Sequence, residues 1–471
     1  MIANCGITQS DMLSVPDGGG DKRRSAESEQ RRTGKETDES RHPHFGAVRL
    51  APGVTENMSE AGYWLNNDDT VIMTADEIER FNYENRYLFD GEHGITELPD
   101  KLDVKTVRDI IPRPEDKEDA ENKGFFDGKP VSEGYWKKLA LTTNIDALPE
   151  KVPVRYGFSV CRSDAKMAPD GRLVGEDAED LSYDLTACSN FLPFRPLVVL
   201  HESMDGEWYF VMFNGHGGWI RKECVALADS REEWLEMQKP KNFLVVTGRE
   251  IRLADDPYCP ELSGQLLPMG TVLPLVPISE APESISHRKT FQNYIVRLPI
   301  RKADGMVGFG YALIPPVEDV HVGFMPFTRD AVIRQAFKYL GDRYGWAGKY
   351  HSQDCSGIVK DVFSCFGFDM PRGARAQSEV KVMKVTDLFE MDDSAKNGFL
   401  KSLPSGSLVY FPGHIMFWLG DGIVLSAVGS FYLPGIEEKQ AAATVMLNDV
   451  SRTLRGSGRT WLGSLTAAVQ Y

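Results

Sequence analysis

The sequence predicts a multidomain chain with an α+β domain at its C-terminus. Two small β-barrels and a helical N-terminal region precede it. Three observations carry that reading. At 471 residues the chain exceeds what one ordinary hydrophobic core serves, so two to four domains are expected. Two successive blocks of short apolar runs, broken by glycine-containing turns, fill residues 152–232 and 243–316. Beyond residue 326 the pattern changes to amphipathic helices followed by strands.

Taken in order, residues 1–48 read as a disordered tail, because interleaved charges there come with almost no large apolar residues. Residues 55–150 lean helical. Thr74-Ala75-Asp76-Glu77 is a capping-box pattern ahead of Ile78 and Phe81. In the block 152–232, Leu197–Leu200, Trp208–Val211 and Gly218–Ile220 read as strands, punctuated by Asp205-Gly206 and Asn214-Gly215. The block 243–316 repeats that order, with strands at Phe243–Val246, Val272–Leu275, Asn293–Val296 and Gly308–Leu313. In 326–471, Thr328 caps a helix whose apolar face is Ile333, Ala336, Phe337 and Leu340, with Gly341 as its stop. A second helix follows Cys355, and strands are expected at Ser407–Phe411, His414–Leu419 and Ile423–Ala427.

Composition is that of a globular protein, and the net charge of −16 argues against sequence-independent binding to nucleic acid. No run has the length and apolarity of a membrane span. No charged-then-apolar secretory pattern opens the chain, so it reads as cytoplasmic. A misassigned start would leave a periplasmic or cell-wall placement open. The seven cysteines include no C-x-x-C pair. That disfavours a disulfide framework and a zinc site, and no cofactor is expected. Oligomeric state is not legible.

The chemistry centres on Asp354-Cys355-Ser356-Gly357. A cysteine at a helix start meets unpaired backbone N–H groups, which favour the thiolate. His414 opens an apolar run 59 residues later. Tyr344-Gly345-Trp346-Ala347-Gly348, the Cys355 motif, Met370-Pro371-Arg372, Gln377, Gly406–Phe411 and His414 follow one another in an order that resembles the NlpC-type cell-wall cysteine peptidases, a papain-like family. The two β blocks resemble the bacterial SH3-like domains that precede such catalytic domains, and residues 55–150 resemble the helical stabilising region in front of them.

The resemblance implies an endopeptidase that hydrolyses the γ-D-Glu to diamino acid bond of peptidoglycan stem peptides or muropeptides. Cys355 would be the nucleophile, His414 the base, and Tyr344 a donor near the oxyanion. Asp354 and Ser356 match substrate-pocket positions, with Asp354 a partner for the amine of a free N-terminal L-Ala. Arg372 either touches substrate or holds a loop. Two positions depart from the family pattern. Ser426 stands where a His, Asn or Gln usually orients the imidazole, and Ala374 where serine is common. A three-residue loop at Gly420-Asp421-Gly422 puts Ser426 on the face of His414; a two-residue loop puts Leu425 and Ala427 there. The alternative function is a weak or inactive wall-peptide-binding protein using its SH3-like domains. His351 reads as a loop residue, His216 as part of a hairpin tip, and Trp208 and Trp219 as barrel core.

Overall fold

The computed structural model describes residues 48–86, 94–118, 124–214, 216–236, 238 and 240–471. The tail expected over residues 1–48 lies outside them except for Val48. Leu50–Tyr471 form one compact unit.

At its front the capping box forms. The Thr74 side chain accepts from the Glu77 N–H, and the Glu77 carboxylate accepts from the Thr74 N–H at 2.8 Å, starting helix α1 (Ala75–Asn85). Ile78 and Phe81 of α1 are buried in the core of the C-terminal domain. Ile95, Leu102 and Val107 instead join the core of the first β region. These short elements therefore present apolar faces to both neighbours.

The first β region is a seven-stranded antiparallel sheet. Its order is Val225–Leu227, Arg155–Ser159, Pro196–Glu202, Trp208–Phe213, His216–Arg221, Ser163–Lys166, Ala187–Phe191. Trp208–Phe213 is buried along its whole length because both faces are covered. Trp208, Phe210 and Met212 enter one cluster, and Tyr209, Val211 and Phe213 the other, as a side-chain period of two requires. Asp205-Gly206 turns the chain with Gly206 at φ 74°. Phe213 pairs with His216 across the second expected turn, of which Gly215 lies outside the described residues. The following β region has its own core, built on Leu244, Val246, Leu267, Leu273, Val296 and Leu298. Its longest element is the hairpin Tyr294–Arg301 with Val307–Ile314.

In the C-terminal domain, Thr328 caps helix α2 (Arg329–Phe337) by accepting from the Ala331 N–H at 3.1 Å. The helix stops at Phe337, and a turn carries the chain to Gly341 at φ 87°. Helix α3 (Cys355–Ser364) follows, with Asp354 as its N-cap. Burying Ile358, Val359, Val362 and Phe363 contributes roughly 1.5–3 kcal/mol for each side chain. Helix α4 is Trp461–Ser464.

The strands are β1 (Lys384–Asp387), β2 (Leu408–Phe411), β3 (His414–Gly420), β4 (Ile423–Leu433), β5 (Ile436–Asp449) and β6 (Ala467–Gln470), in sheet order β1-β6-β2-β3-β4-β5. The strand expected at Ile423–Ala427 thus runs on to Leu433, paired with β5. α2 and α3 cover one sheet face, meeting Ile415, Phe417 and Leu425. Leu388, Leu400, Trp461 and Leu465 cover the other, meeting Met416, Trp418 and Val424. Phe417 pairs with Leu425 and Trp418 with Val424, which fits the three-residue loop. The ladder shifts at Gly420, and Asp421 and Gly422 are left-handed.

Candidate active site

A cleft of about 890 Å³ opens where the start of α3 meets β3 and β4, a size that accommodates a short peptide. Cys355, His414, Tyr344, Asp354, Ser356 and Arg372 all line it. Tyr183, Ala187 and Cys188 of the first β region form part of its wall.

The cysteine side is a dense polar network. Asp354 caps α3: its carboxylate accepts from the Gly357 N–H at 2.8 Å, the Ser356 hydroxyl at 2.9 Å and the Ala347 N–H at 3.1 Å. Arg372 completes the carboxylate's contacts with a two-armed fork, at 2.5 and 3.1 Å. The same guanidinium donates to the Ser356 hydroxyl at 2.5 Å and to Ser189 of the first β region at 3.2 Å. Gln377 donates to the Ser356 and Pro371 carbonyls, both at 2.9 Å. Gly357 packs against Gln353: a Cβ there would lie 2.4 Å from the Gln353 Oε1 and would push that side chain aside.

This network corrects one expectation. Asp354 does not present a free carboxylate for a substrate amine, since its charge is answered by Arg372 and both its oxygens accept donors of this chain. The Arg372 contacts are those of a group that holds the site together. Burial would raise the Asp354 carboxyl, but the Arg372 charge and hydrogen bonds hold it below its usual value.

A second correction concerns the thiol. Cys355 is only 9% exposed. Burial first, then the Asp354 charge, push its thiol up to about 12. The N–H groups of Ile415 and Ser356 act in the opposite direction but do not prevail. The resting Cys355 side chain is a thiol, not the thiolate that the helix start suggests.

The histidine side is mostly apolar. Burial lowers His414 to about 4; the Asp354 charge opposes the shift and the Arg455 charge adds to it. Its Nε2 lies 3.0 Å from the Ser426 hydroxyl. Ser426 is therefore within direct reach, with no bridging group needed. Phe411 and Trp461 pack on the imidazole with ring centroids 5.4 and 5.3 Å away. No hydrogen bond joins the Cys355 thiol to the His414 ring. With Nε2–H donating to Ser426, Nδ1 is the nitrogen left to accept a proton.

Tyr344 is buried, and burial followed by the Asp354 and Cys355 charges raises its hydroxyl, so it stays a donor. Its ring packs near Tyr183, with centroids 5.8 Å apart. The loop between Tyr344 and Cys355 holds Ala347, Gly348, Tyr350 and His351 in left-handed conformations. Contacts from outside fix it. Arg162 donates to the Gly348 and Ser352 carbonyls at 2.6 and 3.0 Å, and Lys349 pairs with buried Asp184 at 2.6 Å. Ala374 lines the cleft beside Arg375. His351 is exposed and His216 lies at a separate small cavity, so neither joins the site. Trp208 and Trp219 are core.

Sequence reasoning did not single out Tyr183, Arg455 or Trp461. Tyr183 comes from another domain, and the other two lie beyond the strands that carry the motif.

Residues 341–433 match the NlpC/P60 family, and residues 174–221 match an SH3 domain of the SH3b1 type. The chain carries an NlpC/P60 domain behind an SH3b domain. The NlpC/P60 match ends at the tip of the β4–β5 hairpin, so Arg455 and Trp461 lie outside it. An NlpC/P60 endopeptidase from Photobacterium damselae subsp. piscicida has a similar fold, with a TM-score of 0.69 at 16% identity over 90% of this chain and 98% of that one. The dipeptidyl-peptidase 6 of Lysinibacillus sphaericus is 26% identical over 100 residues, which is 21% of this chain. The chain spans about a third, 32%, of that relative's length. No helix among the described residues is long and apolar enough to cross a membrane.

Proposed function

We propose that this protein is a thiol endopeptidase that cleaves the γ-D-Glu to diamino acid bond of peptidoglycan stem peptides. The observation that carries the reading is the shared cleft: a cysteine on a capped helix start, and a histidine whose outer nitrogen is engaged by Ser426. In this reading His414 Nδ1 takes the Cys355 proton as Sγ attacks the γ-carbonyl. The Tyr344 hydroxyl donates to the developing oxyanion. His414 then returns the proton to the leaving amine, and water hydrolyses the thioester. The resting thiol and neutral imidazole suit this coupled transfer. Asp354, Ser356 and Arg372 serve chiefly to hold the helix start and shape the pocket.

Tyr183, Ala187 and Cys188 of the SH3b domain form part of the cleft wall, which favours short free stem peptides over the intact wall. The strand order of residues 243–322 supports a second SH3-like domain, and residues 55–150 a stabilising region that packs on both neighbours. The test is incubation with L-Ala-γ-D-Glu-diaminopimelate and product analysis by mass spectrometry. Diaminopimelate released by the wild type and not by Cys355→Ala supports the reading. No turnover of this peptide or of whole sacculi would sink it and favour a wall-peptide-binding protein.

A further inference from the structure

Three arginines line the cleft, and two of them are already answered. Arg372 is forked onto Asp354 at 2.5 Å, and Arg375 pairs with Glu379 at 3.0 Å. The third, Arg455, has no carboxylate partner among the described residues. Its guanidinium stacks over Phe411, 4.7 Å from the ring centroid, and one nitrogen donates to the Pro412 carbonyl at 3.2 Å. The remaining N–H donors are left for a ligand.

The placement of Arg455 is built, not incidental. Leu454 exchanges backbone hydrogen bonds with Tyr432 of β4 at 2.9 and 3.1 Å. The Arg455 N–H donates to the Arg459 carbonyl and the Gly458 N–H to the Arg455 carbonyl, both at 2.9 Å, closing a tight turn. That turn hangs beside Phe411, whose ring also touches His414. Arg455 is thus fixed on the histidine side of the cleft, where the proposed reaction delivers a proton to the departing amine.

We infer that Arg455 recognises a carboxylate on the leaving amino acid, so the enzyme selects stem peptides whose diamino acid bears a free carboxylate near the scissile bond. A planar guanidinium matches a carboxylate in two parallel hydrogen bonds, and stacking on Phe411 orients it for that. Two carboxylates qualify: the α-carboxylate of a C-terminal residue, and the one at the side-chain end of diaminopimelate. Lysine has only the first. The inference rests on the peptidase reading for what the leaving group is.

The experiment compares L-Ala-γ-D-Glu-lysine amide, L-Ala-γ-D-Glu-lysine and L-Ala-γ-D-Glu-meso-diaminopimelate with the wild type, Arg455→Lys and Arg455→Gln. The wild type is expected to favour carboxylate-bearing peptides over the amide by about tenfold or more in kcat/KM, chiefly through KM. Arg455→Gln brings that ratio to within about twofold of one, and Arg455→Lys retains part of it. A preference for both acids over the amide identifies the α-carboxylate; a preference for diaminopimelate alone identifies its side-chain end. Titration of the same proteins with meso-diaminopimelate and with lysine amide reads Arg455 without turnover. Absent hydrolysis therefore strikes the peptidase reading alone. A wild type that treats the acids and the amides alike, or an Arg455→Gln protein that keeps the preference, overturns the assignment.

Discussion

The two sides of the cleft are built by opposite means. On the cysteine side, Asp354, Arg372, Ser356 and Gln377 form a closed polar network around the start of α3. On the histidine side, one hydrogen bond to Ser426 and two aromatic rings hold the imidazole. The first arrangement fixes a position rigidly at the cost of buried charge. The second keeps its histidine neutral, because burial with so little polar support disfavours the imidazolium. A reaction that begins from a thiol and a neutral base needs both: an immovable nucleophile and an unprotonated acceptor.

The largest effect is expected where charge is buried. Asp354→Ala removes the α3 cap and strands the Arg372 guanidinium, so unfolding free energy should drop by about 3–5 kcal/mol in urea titrations. Replacing both partners, with Asp354→Asn and Arg372→Met, should cost less than Asp354→Ala alone. A double variant at least as damaged as the single one would show that the network's hydrogen bonds, not its charge pairing, fasten this side.

The histidine side is expected to set the pH profile. Below about pH 4 His414 carries a proton and cannot accept the thiol's. Since Cys355 ionises only at about 12, the thiol and neutral imidazole coexist across the whole interval between. kcat/KM should rise as pH increases through about 4 and then stay level past pH 9. An alkaline limb near pH 8–9 would instead mean a resting thiolate–imidazolium pair, and the contrast between the two sides would dissolve.

Ser426→Ala tests the single hydrogen bond. A bond worth about 1 kcal/mol, expressed wholly in the transition state, lowers kcat by several-fold to about tenfold. KM and stability should change little. A kcat within twofold of the wild type would show that ring packing alone orients His414.

The same contrast explains what the sequence disclosed. The cysteine side is contiguous: the cap Asp354, Cys355 and Gly357 fall within four consecutive positions, and Arg372 and Gln377 follow within 22 positions of Cys355. Ser426 was reachable because a hairpin register transmits one position to another across a counted loop. Arg455 and Trp461 were not, because β5 stands between them and the motif. Glu437, Glu438, Lys439, Gln440 and the alanines after them favour helix, and only pairing with β4 makes them strand. The state of the thiol is not legible in sequence for a related reason. A helix start is visible in sequence, whereas burial and the direction of a neighbouring carboxylate belong to the assembled core. The SH3b domain's share in the site, through Tyr183 in the cleft wall and Ser189 against Arg372, also depends on how domains meet.

The smallest effect is expected at Trp461, and it is the one that reveals how the histidine side works. Its ring packs against both His414 and Phe411, with centroids 5.3 and 5.6 Å away. Such an aromatic contact contributes about 0.5–1.5 kcal/mol, so Trp461→Leu should lower kcat by roughly threefold to tenfold and Trp461→Phe by less. Two mechanisms give that number. The indole either keeps water from the His414–Ser426 hydrogen bond or restrains the ring independently of it. Trp461→Leu placed in the Ser426→Ala background separates them. With the bond already gone there is nothing left to shield, so shielding predicts a second substitution that is nearly silent. Independent restraint predicts that the two losses multiply. We expect the silent result, because Ser426 is 2% exposed on the same sheet face that α4 covers, and its bond to His414 survives as a short direct contact only while that face stays dry.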